Sequence, residues 1–209
     1  MTIEKIDLFS VPIYKVKCSY HDDIKAYMTK HAISKYDTNL KQMGMQDIFT
    51  DYLPGTGVML HWPYILEKYR VDVNNILTTI GWNLSQGWDV RLKGWFNITK
   101  NNTAEWVHDH VGGASNINYS FVHYISDNSN STVFLDPNYK LIRSTMPTKN
   151  MDYLPSCYLN QRVQVDVEEG DILFFPSWLD HTAPVYTGGE IRVTNAVNVM
   201  MRINDEDGY

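Results

Sequence analysis

A chain of 209 residues is long enough for one sizeable core and too short to suggest two domains. Hydrophobic residues make up 44% and aromatics 13%, with six Trp and fourteen Tyr, which excludes a disordered chain. The net charge of −6 disfavours nucleic acid as the main partner, and no apolar run approaches the roughly 18 residues of a membrane span. Cys18 and Cys157 are far apart and belong to no C-x-x-C, so both are read as free thiols of a reducing compartment, with a single disulfide left open. The opening Met-Thr-Ile-Glu-Lys-Ile-Asp is too charged for a signal peptide, and a cytoplasmic location is expected, in a host cytoplasm if the chain is phage-encoded.

Residues 3–17 predict a strand, with Ile6, Leu8, Val11, Ile13 and Val16 apolar and a break at Ser10-Val11-Pro12. Residues 20–35 predict an amphipathic helix. Asp22 and Asp23 fall in its first turn, and Ile24, Tyr27, Met28 and Ala32 follow at helical spacing. His21 and His31 are read there as surface residues. Residues 37–57 are polar, end in Pro54-Gly55-Thr56-Gly57 and read as loop. A second helix is predicted over 63–81, with Pro63 at its first position and Ile65, Leu66, Tyr69, Val73, Ile76 and Leu77 on one side. His61 precedes it as a turn residue. Both helices are expected to pack on the outer face of one sheet and to supply no ligand.

From Trp88 onward the runs are short, β-branched and aromatic, separated by Asn, Ser, Gly and Pro. Strands are predicted over 88–98, 105–110, 117–125, 132–135, 162–167, 171–176 and 190–201. Such spacing indicates an all-β sandwich or barrel. The expected fold is mainly β: a double-stranded β-helix (a cupin-like jelly roll) with N-terminal helices packed on one sheet. It fills one domain over 1–209, with the helical buttress at about 20–81 and the site-bearing sheet at about 88–201. Residues 145–157 form the longest irregular stretch of the second half, the kind that often lies over a site, and the acidic tail 204–209 is expected to fray.

Two stretches carry the chemistry. Trp106-Val107-His108-Asp109-His110 puts two imidazoles at i and i+2, on one face of an extended strand and about 7 Å apart. Phe174-Phe175-Pro176-Ser177-Trp178-Leu179-Asp180-His181 adds a third imidazole just past a buried-looking strand. Arg192 follows inside another apolar run. Two close ligands, one remote ligand and a buried cation suit an iron-dependent oxygenase that uses an oxo acid. Each residue also has a plainer explanation. His181 can be a strand-end surface histidine, and Arg192 an edge arginine reaching for water. His123, which faces the same way as Phe121, reads as structural.

At these residues the chain resembles the 2-oxoglutarate- and iron(II)-dependent dioxygenases, in particular a prolyl-hydroxylase-like branch of bacteria and phages. The matching segments are Trp95-Phe96-Asn97, His108-Asp109-His110, Ser120-Phe121-Val122-His123-Tyr124 and Asp136-Pro137. They continue with Gly170-Asp171 through Phe175-Pro176-Ser177 to His181, then Arg192-Val193-Thr194 with Asn198. The resemblance covers roughly residues 88–201, and the opening Leu8-Phe9-Ser10-Val11-Pro12-Ile13 also fits. The chain departs from the family at Phe121 and His123, where Gly and Tyr are usual, and in the Val-Gly-Gly after His110, where Pro is usual.

The resemblance implies Fe(II) on His108, His110 and His181, and 2-oxoglutarate as cosubstrate. The usual triad has two histidines and a carboxylate. Here Asp109 is expected on the other face of the strand, unless a bulge turns it inward. Arg192 is expected to pair with the far carboxylate of 2-oxoglutarate, with Thr194 and Tyr124 adding hydroxyl donors. The implied activity is hydroxylation with release of succinate and carbon dioxide. Its partners are 2-oxoglutarate, molecular oxygen and one substrate, small molecule or peptidyl residue, with homodimerisation left open. Two other classes compete. A cupin-like metalloenzyme without an oxo acid is favoured by three histidines and disfavoured by Arg192 with Thr194. A non-catalytic jelly-roll binding module would make the histidines incidental.

Overall fold

In chain order the elements are β1 (Tyr14–Lys17), α1 (His21–Met28) continued by a π turn (Thr29–Ile33), β2 (Ile48–Thr50), α2 (Trp62–Thr79) and β3 (Trp88–Lys100). They continue as β4 (Ile117–Ser126), β5 (Val133–Leu135), β6 (Arg162–Gln164), β7 (Asp171–Pro176), β8 (His181–Thr182) and β9 (Ile191–Ile203). The computed structural model describes residues 10–36, 48–52, 58–100, 103–111, 116–126, 131–138, 162–188 and 191–203. The expectations for 3–9, 145–157 with Cys157, Glu190 and the tail lie outside those residues.

Six strands form one antiparallel sheet in the order β1-β7-β4-β9-β3-β2, and β6-β5-β8 form a smaller one. Strand alternation decides what lies on each side. In β7, Ile172 and Phe174 face the helices while Leu173 and Phe175 face the small sheet, and all four are buried. Such double-sided burial explains why the run Ile172-Leu173-Phe174-Phe175 shows no polar alternation. One core lies between the large sheet and the helices, through Ile24, Met28, Ile65, Tyr69, Phe121 and Val197. A second core lies between the sheets, through Tyr124, Phe134, Leu173 and Phe175. This is the jelly roll with a helical buttress that the sequence predicts.

Helix α2 buries Ile65, Tyr69, Asp72, Val73, Ile76 and Leu77, a stripe at helical spacing. Pro63 stands in its first turn, and it ends at Gly81, whose φ of 104° suits glycine. Trp82 N–H then bonds the Leu77 carbonyl at 2.9 Å and Gly81 N–H that of Thr78 at 3.1 Å, a Schellman ending. The helix crosses β3 at Gly94, where an added Cβ would come within 2.6 Å of the Trp62 ring. The helix predicted over 20–35 is observed as one helical run over 21–36, interrupted by the π turn. The Thr29 hydroxyl donates to the Lys25 carbonyl at 2.8 Å, a side-chain bond of the kind that bends a helix, and the chain widens into the π turn there. Among the described residues no helix is long and apolar enough to cross a membrane.

Two strand expectations need correction. The 37–57 loop contains β2, three residues long and so too short to show a period; Phe49 is buried against Phe96 at 5.4 Å between ring centroids. The strand expected over 105–110 is a single bridge between His108 and His181. Glu105 N–H bonds the Ala183 carbonyl at 3.0 Å, and His108 N–H bonds that of His181 at 2.9 Å. Three steps on one side therefore oppose two on the other, which is a bulge. The extra residue leaves Trp106 and Val107 exposed together.

Candidate active site

The turn after β7 places the third histidine. Leu179 N–H bonds the Pro176 carbonyl at 3.1 Å, so the chain reverses and re-enters as β8, where His181 pairs with Phe134 of β5. The bridge brings His108 across from it, and His110 N–H bonds the Ser177 carbonyl at 2.9 Å. The three rings stand 4.4, 5.0 and 5.3 Å apart between centroids. One nitrogen from each lies within 4.8 Å of the others.

Hydrogen bonds decide which nitrogen that is. His108 Nδ1 meets the Trp106 carbonyl at 2.8 Å, and His181 Nδ1 meets the Leu179 carbonyl at 2.8 Å. His110 Nδ1 meets Asn198 Oδ1 at 2.5 Å, an oxygen that also accepts from the Ser120 hydroxyl at 2.9 Å. A carbonyl oxygen only accepts, so all three Nδ1 atoms carry the proton and all three Nε2 atoms present a lone pair. Burial lowers the His181 pKa to about 4 and also lowers that of His110, which keeps both rings neutral at pH 7. Three imidazoles whose Nε2 atoms converge, each held through its other nitrogen, are a donor set that fits a first-row divalent metal.

Asp109 is not in this group. Its side chain is exposed, and its Oδ1 accepts from Val111 N–H at 2.9 Å. The His31 ring lies tilted against Tyr27 in the helical layer, 4.3 Å between centroids, and His61 N–H bonds the Tyr27 hydroxyl. His123 is buried on the opposite face of the large sheet.

The histidines open into a pocket that Arg192, Thr194 and Tyr124 also line. These residues share a face by strand alternation and register, since Tyr124 of β4 pairs with Thr194 of β9. Arg192 is buried, with its guanidinium 5.7 Å from the Tyr186 ring centroid. The Tyr124 hydroxyl accepts from Thr132 N–H at 2.9 Å and shares a 2.8 Å bond with the Thr132 hydroxyl.

The sequence reading gave no role to Asn198, Ser120 or Tyr186. Asn198 lies six residues past Arg192, so the same alternation that selects Thr194 also selects it. Ser120 stands four residues before Tyr124 on the same face of β4. Trp95, which stacks on His110 at 5.7 Å and meets Tyr52 at 5.1 Å, completes the wall beside the rings.

Comparison with known proteins agrees with this geometry. No curated protein matches the chain in sequence. Among solved structures it is similar to AviO1 from Streptomyces viridochromogenes, at 11% identity over 95% of this chain and 92% of that one, with a TM-score of 0.56. A Pseudomonas putida prolyl-4-hydroxylase gives 11% identity over 92% and 94%, with a TM-score of 0.54. HygX from Streptomyces hygroscopicus, solved with nickel and 2-oxoglutarate bound, gives 13% over 91% and 82%, with a TM-score of 0.51. At these identities the likeness is one of fold. The family described as "Putative 2OG-Fe(II) oxygenase" matches residues 93–198, from β3 to the asparagine that holds His110. The match spans more than half of the 209 residues, and the chain belongs to the 2-oxoglutarate- and iron(II)-dependent oxygenases.

Proposed function

We propose that His108, His110 and His181 hold the iron through Nε2, that Arg192, Thr194 and Tyr124 bind the far carboxylate of 2-oxoglutarate, and that the enzyme hydroxylates a C–H bond. The observation that carries this reading is the shared protonation pattern: three Nδ1–H groups tied to oxygens leave three Nε2 lone pairs converging on the pocket that holds Arg192. The overall change is substrate C–H, 2-oxoglutarate and dioxygen to substrate C–OH, succinate and carbon dioxide. When bound, the iron supplies the oxygen activation that no side chain can provide.

The residues of this chain bind, orient and exclude water. The carbonyls of Trp106 and Leu179 and the Asn198 amide fix the ring planes and raise ligand basicity. Phe175, with its ring 4.8 Å from His181 edge-on, and Phe134 close the inter-sheet side of the site. Arg192 offers a planar pair of donors to a carboxylate. When the Thr132 hydroxyl donates to Tyr124, the Tyr124 proton is available to the same carboxylate. Three histidines bring no negative charge, so the cosubstrate supplies the anionic charge nearest the metal. Family membership sets aside both the oxo-acid-independent enzyme and the non-catalytic module.

The test is elemental analysis of purified wild type, His108→Ala and His181→Ala, with succinate release from 2-oxoglutarate followed in parallel. Both variants should lose iron and succinate release together. Full iron content in both variants would overturn the ligand assignment.

A further inference from the structure

Behind the cosubstrate wall, on the helix face of the same two strands, runs a second polar cluster that the reaction does not use. His123 of β4 and Asn195 of β9 are register partners, one step from the Tyr124–Thr194 pair. Tyr69 of α2 bridges them: its hydroxyl lies 2.7 Å from His123 Nδ1 and 2.8 Å from Asn195 Nδ2. His123, Tyr69 and Asn195 are all fully buried. His123 Nε2 continues the line to His21 Nδ1 at 3.0 Å, and His21 Nε2 lies 3.2 Å from Glu169 Oε1 near the surface.

With the Asn195 amide nitrogen toward Tyr69, the donors follow one another in a single order. The Asn195 amide N–H donates to the Tyr69 oxygen, so the single Tyr69 proton goes to His123 Nδ1. His123 then carries its proton on Nε2 and donates to His21 Nδ1. His21 in turn carries its proton on Nε2 and donates to Glu169. Every bond points outward, from the core to the surface. A proton added to His21 gives its Nδ1 a hydrogen aimed at the His123 Nε2 hydrogen, and the two cannot coexist in one hydrogen bond.

The buried chain has one relief that leaves no charge inside. His123 moves its proton from Nε2 to Nδ1 and donates to Tyr69, and Tyr69 turns its proton toward Asn195. The Asn195 amide turns over to present Oδ1, the atom that makes no hydrogen bond in the present orientation. The proton count rises by one, on His21 alone; His123 and Tyr69 keep one each. The added charge stays beside Glu169, where it is paired, and away from the core, where it would be costly.

The surrounding groups are accounted for. Glu169 and Gly170 face His21 from the turn before β7, and Lys25 of α1 is bound to the same Glu169 oxygen. Asp72 of α2 is held by Ser19 N–H and the Ser19 hydroxyl, and with Cys18 it stands near Tyr69. Lys17 is paired with Asp171 and Glu168, and Lys68 with Asp23. Glu169 is shared between Lys25 and His21, whereas Asp72, Lys17 and Lys68 are held by partners of their own. The cluster also has a direct backbone route to the pocket. A Cβ at Gly170 would meet His21 Cγ at 3.3 Å, and Gly170 N–H bonds the Tyr124 carbonyl at 2.8 Å.

We propose that Glu169, His21, His123, Tyr69 and Asn195 form a hydrogen-bond chain that reverses direction when His21 takes up a proton, and that the Tyr124–Thr194 pair on the pocket face responds. The proposal stands on the cluster alone; only its consequence for 2-oxoglutarate rests on the site assignment above.

The test is nitrogen-15 NMR of the full chain carrying diamagnetic zinc, titrated from pH 8 to pH 5.5. In wild type the pyrrole-like and pyridine-like nitrogen resonances of His123 should exchange between Nε2 and Nδ1 as His21 titrates. The backbone amides of Tyr124 and Thr194 should follow the same midpoint. In His21→Gln the amide oxygen accepts from His123 Nε2–H at every pH, and the exchange should vanish. In Tyr69→Phe the Asn195 side-chain amide should no longer follow the titration. A single His123 tautomer across the His21 titration would overturn the proposal. So would Tyr124 and Thr194 profiles that are the same in wild type and His21→Gln. If zinc fails to bind wild type, the metal assignment is at fault, and the zinc-free chain still reports the tautomers.

Discussion

The two faces of the large sheet are made from the same strands and hold polar groups for different ends. On β9, Arg192, Thr194 and Asn198 face the pocket, while Val193, Asn195, Val197 and Val199 face the helices. On β4, Ser120 and Tyr124 face the pocket side, and Phe121, His123 and Ile125 face the helices. The pocket face keeps its polar groups at the edge of a cavity, where the proposed assignment puts a metal and an anion beside them. The helix face closes its polar groups on one another and surrounds them with apolar side chains. A polar residue in a buried strand is therefore functional or structural according to what completes its hydrogen bonds, and not according to its type.

The largest expected difference between the faces is in stability. Phe174 is fully buried on the helix face, stacked with Tyr119 at 4.9 Å and near Phe121. Phe174→Ala should cost about 3–5 kcal/mol in urea unfolding, through lost transfer energy and the cavity left behind. The metal content of the fraction that stays folded should be unchanged, because no ligand rests on that side. Loss of metal at full stability would mean that the faces are not separable in this way.

On the pocket face the expected effect lies in ligand response. At a hundredfold excess over its Kd, 2-oxoglutarate should stabilise metal-loaded wild type by about 2.7 kcal/mol, by linkage between binding and folding. Arg192→Ala should abolish that gain while metal content persists, and Arg192→Lys should recover only part of it, since lysine forms no bidentate pair. Equal thermal shifts in wild type and Arg192→Ala would remove Arg192 from the cosubstrate site.

Acid should expose the helix face. Burial lowers the His123 pKa to about 3, well under the ordinary histidine value. Between these values the unfolded chain binds the proton and the folded chain does not. The stability is therefore fully present above about pH 6.5 and is lost as pH falls toward 3. The loss amounts to about 2 kcal/mol by pH 5. His181, held at about 4 on the pocket face, and His110, also lowered by burial, act in the same direction, so the measurement belongs in the His110→Ala, His181→Ala double variant. Urea midpoints of that variant should fall between pH 7.5 and pH 5; flat stability would contradict a neutral buried His123.

Much of the pocket face was legible in the sequence because its logic is local. The His108–His110 spacing, the apolar run before His181 and the alternation of Arg192 and Thr194 each sit within a few residues, and the same alternation extends to Asn198. The bulge at Trp106 and Val107 was not legible, because it depends on the offset between Glu105–His108 and His181–Ala183 across two distant segments. The helix-face cluster was hidden for the same reason. Tyr69 meets His123 across 54 positions and Asn195 across 126, and no period in α2, β4 or β9 signals that meeting. In α2, Tyr69 falls on an apolar stripe and reads as core, which it is; its hydroxyl is the part that the pattern does not show.

The smallest expected effect concerns the residue between the two paired histidines. Asp109 is the only carboxylate within the H-x-H segment, and an inward turn there would restore the usual two-histidine, one-carboxylate set. The bulge falls at Trp106 and Val107, before His108, so it does not rotate Asp109 toward the rings. Its Oδ1 instead accepts from Val111 N–H, which tightens the turn after His110. Asparagine keeps that acceptor and removes the charge. Asp109→Asn should therefore leave iron content unchanged and alter stability by no more than about 0.5 kcal/mol, as surface substitutions usually do. Asp109→Ala loses the acceptor and should cost slightly more, still with iron retained. His110→Ala, one position away, should lose the metal. Elemental analysis of the three proteins side by side decides the matter, since iron loss in Asp109→Asn as complete as in His110→Ala would make the carboxylate a ligand.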